Sequence, residues 1–165
     1  MTWKRTLFAL LALSLLAASL AVGAASTAGA TADTAGNDLT GAWEATIDLP
    51  EPQADLKSLQ VFSPEGGFVE MSNEPQASRT AQYGSWERIG GRLYAATGLI
   101  YRFNPAGVHV ATVKINRTIR LAEDGQSMSW FARVTVTDLA GNVLQAFPVQ
   151  AGAERLPVER ILDQP

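Results

Sequence analysis

From residue 39 onward, apolar and polar positions alternate in short runs broken by Gly, Pro, Asn and Asp, and no stretch holds a 3.6-residue period. This pattern predicts a nearly all-β domain. Residues 41–49 put Trp43, Ala45, Ile47 and Leu49 on one face and Glu44, Thr46 and Asp48 on the other. Residues 127–137 alternate most cleanly, with Phe131 the one apolar residue on the polar side. Between them, strands are predicted at 56–62, 68–71, 82–88, 92–103 and 108–121, followed by 143–149 and a last short piece around 155–162. The junctions carry turn chemistry, as in Ser63-Pro64-Glu65-Gly66-Gly67, where Pro presets φ and the glycines supply positive φ. The segment 73–80 reads as a polar loop.

Hairpin-length junctions leave no room for the crossovers that parallel strands need, so eight or nine strands form an antiparallel meander. Closing the meander into an up-and-down barrel removes exposed edges, and eight strands leave an interior for side chains or one small ligand. A two-sheet β-sandwich is the alternative architecture.

The first strand opens with Gly41-Ala42-Trp43, which resembles the Gly-x-Trp signature of the lipocalin and wider calycin barrels. The resemblance implies that Trp43 closes the base of a barrel under an arginine from near the last strand. Arg155 or Arg160 stands at the corresponding place in the chain order. The family's disulfide cysteines, its second Thr-Asp-Tyr signature and its late helix have no counterpart here.

Residues 1–30 read as an export signal: Lys4 and Arg5 precede nineteen uncharged residues, Leu7 to Ala25, with cleavage expected after Ala25 or Ala30. Residues 31–38 form a small-residue lead-in, and 39–165 the single barrel domain, secreted or periplasmic. Removing 1–30 leaves 11 Lys+Arg against 16 Asp+Glu, so the formal charge moves from −3 to −5. An acidic chain with scattered basic residues has no field for nucleic acid, and without its leader it has no membrane segment. No Cys and one His remove disulfide scaffolds, thiolate sites, metal centres needing two imidazoles and most triads, so no cofactor or metal is expected.

Candidate chemistry centres on residues 108–121, where parity puts His109, Ala111, Val113, Ile115, Arg117, Ile119 and Leu121 on one face. Arg117 then sits among aliphatics. Pairing arithmetic sets it near Trp130, Leu93 or Tyr94, and Trp86 or Glu87. A buried guanidinium must be paired, so either Glu87 neutralises it or it awaits an anionic ligand. The leading expectation is a binding barrel for a small apolar or weakly anionic molecule. Arg117, Trp86, Trp130, Tyr101 and Trp43 line the site, within a cavity of roughly a few hundred Å³. Two other classes stay open. A barrel enzyme working mainly by shape would use Glu87 or Glu70 with Tyr83, and a structural or adhesive module would have a solid core. His109, the one group titrating near neutrality, has no evident partner. Oligomeric state is not set by the sequence.

Overall fold

The computed structural model describes residues 38–49 and 51–159; the expected export signal, lead-in residues 31–37 and Arg160 lie outside them. Eight antiparallel strands close into one barrel in sequence order: β1 (Gly41–Asp48), β2 (Leu56–Phe62), β3 (Gly67–Ser72), β4 (Gln82–Gly90), β5 (Leu93–Phe103), β6 (His109–Leu121), β7 (Ser127–Thr137) and β8 (Val143–Arg155). The meander is therefore an up-and-down barrel and not a sandwich. Closure comes from β8, which continues six residues past the expected 143–149 to pair with β1, Trp43 lying opposite Arg155. No separate ninth strand follows among the described residues. The loop between β3 and β4 holds a single 3-10 turn, Gln76–Ser78, and no described helix is long and apolar enough to cross a membrane.

The half of the barrel at the Trp43 end is solid. Phe62 stacks on Phe68 with ring centroids 5.3 Å apart, Trp86 meets Phe62 edge-on at 6.2 Å, and Tyr94 meets Trp86 at 5.7 Å. Burying each of these rings contributes roughly 1.5–3 kcal/mol. Room for them comes from Gly84 and Gly98, which face each other directly across β4 and β5. A Cβ on Gly84 would collide with the Phe68 ring and the Thr97 carbonyl, and one on Gly98 with Gln82 and Phe68. The paired glycines thus let Phe68 lie against bare backbone.

At the base, the Trp43 indole donates to the Leu39 carbonyl at 2.9 Å, and the Arg155 guanidinium lies over the ring 4.2 Å from its centroid. All three guanidinium nitrogens of Arg155 reach carbonyls: Nε to Gly125 at 2.8 Å, and Nη1 and Nη2 to Thr40 and Asp38 at 2.6 Å each. Arg155, one of the two arginines the sequence offered, lies over the indole.

β2 and β3 break the usual rule of apolar residues inside and polar outside. Their inward positions read Ser58, Gln60, Phe62 and Phe68, Glu70, Ser72, while Leu59, Val61, Val69 and Met71 face water. Polar groups are thereby forced into the lumen, and apolar ones onto the outer wall.

Candidate functional site

The inward polar residues of β3 and β4 meet Arg117 from β6 midway along the barrel. Arg117 is 3% exposed, and its Nη2 donates to the Glu70 carboxylate and, at 2.5 Å, to the Gln82 amide oxygen. Its guanidinium carbon lies 4.6 Å from the Trp130 ring centroid and 5.4 Å from that of Phe68. The counter-ion is Glu70, not Glu87. Strand pairing puts Trp86, Ala96, Arg117 and Ala132 in one row, so Glu87, one residue on from Trp86, points outward and is exposed. Trp130 falls opposite Ile119, two residues from the expected register, and reaches the guanidinium diagonally.

Pairing with Glu70 and Gln82 does not saturate this layer. Arg117 Nε and Nη1, Gln82 Nε2 and Trp130 Nε1 are buried N–H groups without a hydrogen-bond partner, while Gln60 Oε1 is the one buried side-chain acceptor in that condition among the described residues. Orphaned buried donors are costly, each by roughly 1–3 kcal/mol, so this concentration of them makes the layer the candidate site.

Above this layer lies a cavity of about 120 Å³. Arg117, Glu70, Gln82 and Trp130 belong to its lining, and its walls are aliphatic, including Ile47, Ile100, Val113, Ile115 and Val134. Its lining extends to the barrel end where β1, β3, β5 and β7 finish, opposite the Trp43 base. The cavity is smaller than the expected few hundred Å³ because the aromatic cluster and the Arg117 layer occupy the rest of the lumen. A volume near 150 Å³ accommodates a benzene-sized group, so this one encloses roughly six heavy atoms.

A second charged layer forms the mouth. Glu74 takes hydrogen bonds from Arg79 Nη1 and, at 3.0 Å, from Arg102 Nη2; Arg79 also donates to Ser72 Oγ at 2.8 Å. Burial by itself would raise the Glu74 pKa, but the hydrogen bond from Arg79 and the positive charges of Arg102 and Arg79 outweigh it and hold the carboxyl below its ordinary 4.5. The lining thus contains three guanidiniums against two carboxylates, a surplus of one positive charge. The sequence did not single out Arg79 or Arg102, since a polar loop and a strand end gave neither an apolar surrounding to stand out against.

The other sequence-derived candidates are dispersed. Trp43 is buried at the base, and Trp86 packs in the aromatic cluster with its indole N–H shared between the Ser63 and Gly67 carbonyls at 3.0 and 3.1 Å; neither lines the cavity. Tyr101 faces outward, 47% exposed. Of the trio Glu87, Glu70 and Tyr83, only Glu70 points inward; Tyr83 is 61% exposed, so the barrel wall separates them. His109 does not share the Arg117 face. The pairing skips Val110, a bulge that reverses parity and sets the imidazole beside Tyr101 at 4.8 Å and Phe103 at 5.9 Å.

No family model, curated protein or solved structure matches the chain.

Proposed function

We propose that the chain is an exported, lipocalin-like barrel that binds one small molecule with an apolar body and an acceptor-bearing or weakly anionic head. The observation that carries this reading is the coincidence of an aliphatic cavity with a layer of unpartnered buried N–H donors on Arg117, Gln82 and Trp130. Donors outnumber acceptors there, and the lining has a positive surplus, so the favoured head group is a carbonyl or carboxylate and not an amine. The cavity encloses a short chain or a single ring, and anything longer extends toward the mouth lined by Glu74, Arg79 and Arg102.

Binding is favoured over turnover because the one inward carboxylate of the expected acid–base set, Glu70, is committed to Arg117, while Glu87 and Tyr83 face solvent. The lipocalin-like element of the proposal rests on Gly41-Ala42-Trp43 in the first strand and on the Arg155 guanidinium over Trp43. Export rests on the charge and hydropathy pattern of residues 1–30.

The test is native mass spectrometry of protein purified from its own host, followed by calorimetric titration with hexanoate and hexanol. A bound mass that disappears in Ile115→Phe, together with heat from hexanoate exceeding that from hexanol, is the expected result. No adduct and no heat from either probe, with an ordered chain, would mean that the cavity holds only water.

A further inference from the structure

The positive surplus of the cavity lining is not spread evenly along it. At the floor Arg117 is matched by Glu70, whereas at the mouth Arg79 and Arg102 share the one carboxylate of Glu74. No other charged residue lines the cavity among the described residues, so its charge is confined to two layers and its unanswered charge to the mouth.

Glu74 does not saturate the two mouth guanidiniums. It takes one N–H group from each, Arg79 Nη1 and Arg102 Nη2. Arg79 Nε donates to the Thr80 carbonyl at 3.0 Å. Arg79 Nη2 and Arg102 Nε and Nη1 have no hydrogen-bond partner among the described residues. Two guanidiniums carry enough donors for two carboxylates, and the chain provides one. The Arg102 side chain is 36% exposed against 4% for Arg79, so its donors are within reach of a molecule entering from solvent.

The spacing of the two layers suits a short chain. Gln82, which holds Arg117, precedes Tyr83, the partner of Leu99, and Arg102 stands three residues beyond Leu99 on β5. At about 3.3 Å per residue, that is roughly 10 Å along the strand. A bridge between Arg79 and Arg102 sets Arg79 at the same level.

We propose, building on the binding reading above, that the ligand is a short chain with two polar ends. Its acceptor head sits on the unpaired donors of Arg117 and Trp130, and a second group, a carboxylate at the far end, is held by Arg102 and Arg79 beside Glu74. Arg102 is then the residue that selects for the second charge. A chain with one head, such as hexanoate, fills the floor and walls and leaves the mouth surplus unanswered. A chain ending in an amine meets two guanidiniums and is rejected.

The experiment is calorimetric titration of the chain as its host produces it with dicarboxylates from butanedioate to octanedioate, each beside the monocarboxylate of the same carbon number, and with hexanoate bearing a terminal amine. The expected result is a maximum at one length, where the dicarboxylate binds about tenfold tighter than its monocarboxylate, while the amine-bearing chain binds more weakly than hexanoate. In Arg102→Gln that ratio falls to about one, and Arg102→Lys restores part of it. An arginine with a purely structural role would lower both affinities together and keep the ratio. Should Arg102→Gln fail to fold, proton–nitrogen spectra of the wild-type chain give the second readout: the Arg102 Nε–H signal moves with the dicarboxylate and not with hexanoate. A ratio near one at every length in a chain that binds hexanoate would overturn this proposal and leave the binding reading standing, as would a ratio unchanged by Arg102→Gln. No heat from any probe would bring down both.

Discussion

Two arginines in this barrel lie over tryptophans, Arg155 over Trp43 at the base and Arg117 over Trp130 at mid-height, and their surroundings differ in how completely each guanidinium is hydrogen-bonded. Arg155 places every guanidinium nitrogen on a backbone carbonyl and ties together the chain before β1, the β6–β7 turn and the end of β8. Arg117 uses one nitrogen for Glu70 and Gln82 and leaves two without partners, beside an unpaired indole N–H and an unpaired amide. A saturated guanidinium holds strands together, whereas an unsaturated one in a cavity lining keeps capacity for a ligand.

The largest effect should come from breaking the Arg117 pair on one side only. Arg117→Met leaves the Glu70 carboxylate buried without its cation and should cost about 3–5 kcal/mol in urea unfolding, whereas Arg117→Met with Glu70→Leu should recover most of that. If the single and double variants were equally destabilised, the pair would not be the reason for the loss. Next comes Arg155→Ala, expected to cost about 2 kcal/mol through lost charged hydrogen bonds and the ring contact, with hexanoate affinity unchanged. A fall in affinity as large as the fall in stability would erase the distinction between the two arginines.

A smaller change fills the cavity without touching either guanidinium. Ile115→Phe should lower hexanoate affinity about tenfold, equivalent to about 1.4 kcal/mol, with only a modest change in thermal midpoint. The smallest effect concerns the mouth. The Glu74 carboxyl is held below its ordinary value, so it contributes stability that is fully present above pH 4.5 and is lost as pH falls through its folded value. Glu74→Gln should flatten that acid limb of the stability curve while leaving stability near neutrality changed by less than about 1 kcal/mol. An unchanged acid limb would show that another carboxylate controls it.

How much of this was legible in the sequence follows from where alternation carries information. β7 and β1 keep apolar residues inside and polar ones outside, so their bounds and faces could be read directly, and β6 exposed Arg117 as a cation in an aliphatic row. In β3 the alternation reads the same from both sides, because Phe68, Glu70 and Ser72 point inward while Val69 and Met71 point outward. Hydrophobicity cannot say which face is buried there, so the residue pattern gives Glu70 no precedence over Glu87. A one-residue parity difference decides between them, and pairing arithmetic over several hairpins accumulates errors of about that size. His109 was misplaced for a related reason, since a bulge at Val110 has no signature in the residue pattern. Base closure was legible only through the Gly-x-Trp resemblance; composition and spacing alone gave Arg155 no special standing.

The contrast between the two arginine–tryptophan pairs is tested most directly by proton–nitrogen spectra of the guanidinium Nε–H and indole Nε1–H groups during a hexanoate titration. Seating of the head group on the unpaired donors requires the Arg117 and Trp130 signals to move saturably with ligand while those of Arg155 and Trp43 stay fixed. Signals that all remain in place, or that move together for both pairs, would contradict the assignment of the Arg117 layer as the binding floor.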